Sequence, residues 1–163
     1  MLRFIFKRHG HKESNFGFEK TNDDLELTDK GRRETRSVAE QMVQLGLVPD
    51  IILESPMLRA KQDADILSEV FAKEIPRIVH ECLHERSRDS IETAGLFDVM
   101  EGYETALCVT HQPTIITNVY PYCGKFVAKN AQALVLVFDT DQWSNIGKNT
   151  FIREQMQVIS PSI

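Results

Sequence analysis

The chain has 163 residues, 42% apolar and 26% charged, with a formal net charge of −5. That length holds a full hydrophobic core, and a single domain over residues 1–163 is expected. The negative charge excludes nucleic-acid binding driven by bulk electrostatics, so any phosphate contact must come from a local cation cluster inside an acidic protein.

The apolar run Leu2–Lys7 predicts a buried first strand. It ends in Arg8-His9-Gly10, which delivers a cation and an imidazole to the strand's carboxyl end. The glycine there lets backbone come close. Residues 11–27 lack periodicity and predict a long polar loop on the rim of a site. Thr28 is suited to cap a helix, with Asp29 near its positive end. Val38, Ala39, Met42 and Leu45 form the apolar face of that helix, and Gly46 stops it. Arg32, Arg33, Arg36 and Glu40 read as its solvated face.

Asp50–Glu54 predicts a second strand, and Ser55-Pro56 leads into a helix over Met57–Phe71. That helix buries Ala60, Ala64, Leu67 and Phe71 and carries Arg59 in its first turn. Arg77–His80 predicts a third strand, followed by the charged stretch Glu81–Arg86 and a helix over 88–101. Ala106–Thr110 predicts a fourth strand ending at His111, after which Gln112-Pro113 opens a helix to Tyr120. Ala133–Phe138 predicts a fifth strand, Asp139–Lys148 a polar turn, and Thr150–Val158 a sixth strand in a hairpin with the fifth. Strands alternating with helices predict an α/β fold, a three-layer α/β/α sandwich with a mostly parallel sheet. The final hairpin predicts an antiparallel edge.

Cys82, Cys108 and Cys123 are widely spaced with no Cys-x-x-Cys pair. They read as free thiols in a reducing compartment. No signal-peptide pattern and no apolar stretch of membrane-spanning length occurs, so a cytoplasmic protein without membrane contact is expected.

In parallel sheets, ligands bind beyond the carboxyl ends of the strands. Arg8 and His9 follow the first strand, Arg59 the second, Glu85 the third and His111 the fourth. Each alone has an ordinary structural reading. Together they place like charges at one edge, an arrangement that an anion in the middle would relieve.

These residues resemble, in order, the signatures of the histidine phosphatase superfamily, the phosphoglycerate-mutase-like fold. The resemblance lies in Arg8-His9-Gly10, Leu27-Thr28-x-x-Gly31, Ser55-Pro56-x-x-Arg59-Ala60-x-Gln62, Leu83-x-Glu85 and Val109-Thr110-His111. The short length and His111-x-Pro113 are most similar to the phosphohistidine phosphatases of the SixA type. The resemblance implies His9 as nucleophile, its other N–H given to a backbone oxygen. It implies Arg8, Arg59 and a His111 protonated beside the dianion around the phosphoryl oxygens, Gly10 allowing close approach, and Glu85 as proton donor. No metal or other cofactor is implied. The implied partner is a phosphorylated substrate, with a phosphohistidine-bearing protein domain favoured by the lack of cap insertions. A small phosphorylated metabolite is the alternative.

The chain departs from the family pattern at four points. Lys7 stands where an apolar residue precedes the Arg, His11 where an acid is common, and Asp63 where a Thr follows the Gln. Glu81 competes with Glu85 for the acid role, and His11 reads equally as a pocket contact or as the start of the rim loop. Two other readings stay open here. His9-Gly10-His11, with His80, Cys82 and His84, resembles the ligand set of a metal-dependent hydrolase. The same pocket could also bind phosphate without turnover.

Overall fold

The computed structural model describes residues 1–14 and 20–162. Six strands, β1 (Leu2–Arg8), β2 (Ile51–Glu54), β3 (Arg77–Val79), β4 (Thr105–Thr110), β5 (Ala133–Phe138) and β6 (Gln157–Ile159), form one sheet in the order β3-β2-β4-β1-β5-β6. The first four run parallel, and β5 is antiparallel to both β1 and β6. The helices are α1 (Asp29–Gln44), α2 (Leu58–Phe71), α3 (Leu96–Met100) and α4 (Gln112–Cys123).

The two-residue period of β1 builds both layers of the core. Phe4 and Phe6 pack into one apolar cluster with Leu53, Cys108, Leu96 and Ile115, on the side of α3 and α4. Ile5 packs into the other with Val38, Met42, Ala60 and Leu67, on the side of α1 and α2. The fold is therefore the expected three-layer sandwich, with a parallel centre and an antiparallel edge. The four parallel strands point their carboxyl ends the same way, so residues 8–9, 55, 80 and 111 emerge along one edge.

Several boundaries differ from expectation. The helix over 88–101 shrinks to α3, because Gly95 takes φ 75° and breaks the chain into turns ahead of it. The sixth strand is only Gln157–Ile159; Phe151 makes a lone bridge to Phe138, and a 3-10 turn at Arg153–Gln155 interrupts the pairing. Inside the polar stretch 139–148, Trp143 is fully buried and donates its indole N–H to the Tyr103 carbonyl (2.8 Å). Leu45 is exposed rather than packed, lying at the C-terminal cap of α1. The third strand stops at Val79, one residue short. Part of the polar loop, residues 15–19, lies outside the described residues.

The exit of β1 crosses the first turn of α1 backbone against backbone. A Cβ on Gly10 would overlap the Gly31 carbonyl, and one on Gly31 would overlap the His11 carbonyl. Thr28 caps α1 by accepting from the Gly31 N–H (3.1 Å) and donates its hydroxyl to the His11 carbonyl (3.2 Å). Gly31→Ala is therefore expected to cost about 3 kcal/mol of stability, measured by urea unfolding, because the obstacle is backbone and cannot rotate away.

Cys82 and Cys108 are buried and Cys123 is partly buried, all as free thiols. Burial pushes the Cys82 thiol up to about 11 and that of Cys108 well above its ordinary value. Such thiols are inert packing groups at neutral pH. No helix among the described residues is long and apolar enough to cross a membrane.

Candidate active site

The β2–α2 turn sets the site's centre. Arg59, in the first turn of α2, is fully buried. Its Nε donates to His9 Nε2 (3.3 Å), its Nη1 to the Asn22 carbonyl (2.6 Å) and its Nη2 to Glu85 Oε2 (3.1 Å). A guanidinium only donates, so His9 Nε2 must carry the lone pair. The ring proton then sits on Nδ1, which donates to the Gly10 carbonyl (2.8 Å). Burial, joined by the charges of Arg59, Arg8 and Lys7, pushes the His9 pKa down to about 3 against the opposing pull of the Gly10 hydrogen bond. At neutral pH His9 is therefore an uncharged imidazole with a defined tautomer.

His111 lies beside it, with ring centroids 5.1 Å apart. Its Nε2 is hydrogen-bonded to Ser55 Oγ (2.8 Å), and Ser55 Oγ also accepts from the Met57 N–H (3.2 Å). Burial first, then His9 and the two arginines, lowers the His111 pKa to about 2. Without an anion among these cations His111 is neutral. A bound dianion would act in the opposite direction and favour the charged form.

Arg8, half-buried, donates from Nη1 to the Ala128 carbonyl (2.9 Å). That segment is held by the Gln112 side chain, which donates to the Phe126 carbonyl (3.2 Å) and accepts from the Ala128 N–H (2.6 Å). Arg8's charge is felt by His9, His111 and Arg59, and Arg8 in turn feels Glu85, which puts its guanidinium within the same group. Among the described residues, only three buried side-chain polar atoms lack a hydrogen-bond partner, and two of them are Arg8 Nε and His111 Nδ1. Unpaired buried polar groups are rare, and both of these belong to residues at the carboxyl edge of the sheet, where a polar ligand can be held.

Glu85 Oε2 accepts from Arg59 and from Asn22 Nδ2 (2.8 Å), with its side chain 36% exposed. Thr110 Oγ1 pins the Leu83 carbonyl (2.6 Å) and Thr114 Oγ1 the His84 carbonyl (3.2 Å), which holds Glu85 in place. Glu81 is exposed, and none of the hydrogen bonds found among the described residues ties it to this group. The His11 ring is bonded to Thr28 Oγ1 (2.8 Å) and the His11 backbone N–H donates to Glu34 Oε1 (3.0 Å), so the residue anchors the start of α1.

The structure thus brings together Arg8, His9, Arg59, Glu85 and His111, with Gly10 behind His9. It also brings in Asn22, Ser55 and Gln112, to which sequence reasoning assigned no role at the site. Asn22 comes from a loop with no periodic signal. The proposed metal set does not assemble. His80 Nδ1 accepts from the Cys82 N–H (3.1 Å), while His84 Nδ1 accepts from the Arg86 N–H (3.1 Å) and its Nε2 bonds Asp23 (3.0 Å). Among the described residues no group of three or more His, Cys, Asp or Glu side chains is gathered as a metal site.

Two buried imidazoles held near 3 and 2 have a consequence for stability. Between roughly pH 3 and 6.5 the unfolded chain binds more protons than the folded one, so stability is full above about 6.5 and falls as pH drops. Each ring contributes a slope of up to about 1.4 kcal/mol per pH unit. Urea unfolding from pH 8 down to about pH 5 should show the decline, and His111→Gln should reduce its slope by one ring's share.

A sheet of this order, with Arg-His-Gly at the end of its first strand and a second histidine at the end of β4, is the phosphoglycerate-mutase-like fold. The chain belongs to the histidine phosphatase superfamily, branch 1, whose family model matches residues 4–113. Among solved structures, the protein histidine phosphatase SixA complexed with tungstate aligns with a TM-score of 0.80 at 21% identity, over 98% of this chain and 97% of that one. The mycobacterial glucosyl-3-phosphoglycerate phosphatase aligns with a TM-score of 0.65 at 17% identity, over 99% of both chains. The Entamoeba histolytica phosphoserine phosphatase in complex with phosphoserine aligns with a TM-score of 0.62 at 21% identity, over 95% and 98%. An uncharacterized protein of Picosynechococcus sp. is 40% identical over 67 residues, 41% of this chain and 40% of the relative. The chain thus matches about two fifths of that curated relative's length.

Proposed function

We propose that this protein is a metal-independent cytoplasmic phosphatase that works through a phosphohistidine on His9, with a phosphohistidine-bearing protein domain as its substrate. The carrying observation is the His9 ring: Nδ1 is tied to Gly10 and Nε2 faces the Arg59 guanidinium. An entering phosphoryl group would take Arg59's N–H groups and meet the Nε2 lone pair. In the first step the Nε2–P bond forms as the bond from phosphorus to the leaving group breaks, and Glu85 gives the leaving group a proton. In the second, water attacks phosphorus, its proton passes to Glu85, and the P–Nε2 bond breaks to release inorganic phosphate. Arg8, Arg59 and His111 stabilise the equatorial oxygens throughout, which is the main work in phosphoryl transfer. The positive charge of the two arginines, joined by His111 once the dianion favours its charged form, takes the part a metal plays elsewhere.

The protein substrate is supported by the fit of the fold. The chain aligns nearly end to end with a protein histidine phosphatase that holds tungstate, a tetrahedral oxyanion, at a TM-score of 0.80, above the 0.65 and 0.62 of the two metabolite phosphatases. The test is mass spectrometry of protein exposed to a phosphodonor and quenched at high pH. One added phosphoryl group should map to His9 and be lost in acid. Turnover should resist chelators and be inhibited by vanadate. Label on another residue, or brisk turnover with no label, rejects the mechanism. Higher kcat/KM on small phosphomonoesters than on a phosphohistidine protein domain rejects the substrate.

A further inference from the structure

Two of the departures from the family pattern, Lys7 and Asp63, meet in the structure. Lys7 follows Ile5 by two in β1, so its side chain lies on the α1–α2 face of the sheet. There its Nζ reaches both carboxylate oxygens of Asp63 at 2.9 Å, and both side chains are completely buried. Thr35 Oγ1 of α1 donates to Asp63 Oδ2. The same Oδ2 accepts the Gly10 N–H (2.9 Å).

Asp63 stands one helical turn after Arg59 on α2, so the two face the same way. Arg59 meets His9 at Nε2, while Asp63 holds the peptide that follows His9. Gly10 has no Cβ to limit its rotation, so its orientation must be set from outside. Asp63 fixes the N–H of Gly10 and Glu34 fixes the next N–H, on His11 (3.0 Å). Between those two anchors the Gly10 carbonyl is aimed at His9 Nδ1.

Stability is a poor reason for this pair. A buried ion pair is often no better than apolar residues of similar volume. We propose that Asp63, ion-paired with Lys7, is a positioning residue that locks the Gly10 peptide and through it the reactive tautomer of His9. The proposal rests on the reading of His9 as nucleophile. Its structural half, the tautomer lock, does not need turnover to be observed.

The test compares two charge-neutral pairs of substitutions, so that neither leaves a lone buried charge. K7M/D63N keeps an acceptor for the Gly10 N–H; K7M/D63A removes it. In protein labelled with ¹⁵N-histidine, the ring of His9 should remain in the Nδ1–H form in the native protein and in K7M/D63N. It should become a tautomer mixture in K7M/D63A. On an aryl phosphate, kcat of K7M/D63A should fall about 10–100-fold below K7M/D63N with KM little changed, as for other supports of a reactive group. If K7M/D63A does not fold, K7M/D63S, whose shorter hydroxyl does not span to Gly10, replaces it with the same readouts. An unchanged tautomer with equal kcat in the two double variants overturns the proposal. A native protein that shows the Nδ1–H lock but no turnover overturns the phosphatase reading and leaves the lock standing.

Discussion

Replacing His9 with alanine is expected to lower turnover of an aryl phosphate by on the order of 10⁴-fold or more, the scale seen when a nucleophile is deleted. The loss should appear in kcat. Arg8, Arg59 and His111 remain, so inhibition by inorganic phosphate or vanadate should change by less than about tenfold if these groups supply the binding. The variant should also resist acid better than the native protein, because it removes one of the two rings that burial and nearby cations hold neutral. The shallower pH slope in urea unfolding would come with a folded, phosphate-binding and inactive protein. Turnover within about tenfold of native would remove His9 from the mechanism.

Much of the fold was legible because β1, β2, β4 and β5 are short apolar runs closed by polar or special residues. Their alternation with helices determines which strand ends share an edge. The candidate site was legible for the same reason: Arg8 and His9 end one such run, His111 directly follows another, and Arg59 opens the helix after a third. Glu85 was harder, since it lies past a three-residue strand and is held by Thr110 and Thr114 from another element. Asn22 was not legible at all. Its carbonyl and side chain bridge Arg59 and Glu85 from a loop whose path depends on tertiary contacts, among them the Gln62 side chain against Leu27 and Glu26. The neutral state of His111 in the anion-free site was not legible, because a sequence shows the neighbouring charges but not the depth of burial, which here dominates. Lys7 and Asp63 were visible separately as irregularities; only the packing of β1 against α2 shows them as one pair. The 88–101 segment failed because a single glycine at φ 75° outweighs helical propensity on its amino-terminal side.

Replacing Arg59 tests how the site divides its substrate binding between two arginines. Arg59→Met should lower kcat/KM by roughly 10³-fold, because one side chain supplies several donors where a single lost oxyanion donor already costs about 10²–10³. Arg59→Lys should recover little, since an ammonium cannot reach His9 Nε2, Glu85 and the Asn22 carbonyl from one position. Stability should not follow activity. Arg59 is fully buried, and burial with the repulsion of Arg8 lowers its pKa against the pull of Glu85 and Asp23. Its partner Glu85 is partly exposed and can turn to water when the arginine is gone. A methionine of similar length removes the desolvated charge, so Arg59→Met should unfold at the same urea concentration as the native protein or a higher one. Kinetics and urea unfolding on the same preparation check both halves. A large stability loss with kcat/KM intact would mean that Arg59 is a core ion-pair residue and that the anion, if one binds, is held elsewhere.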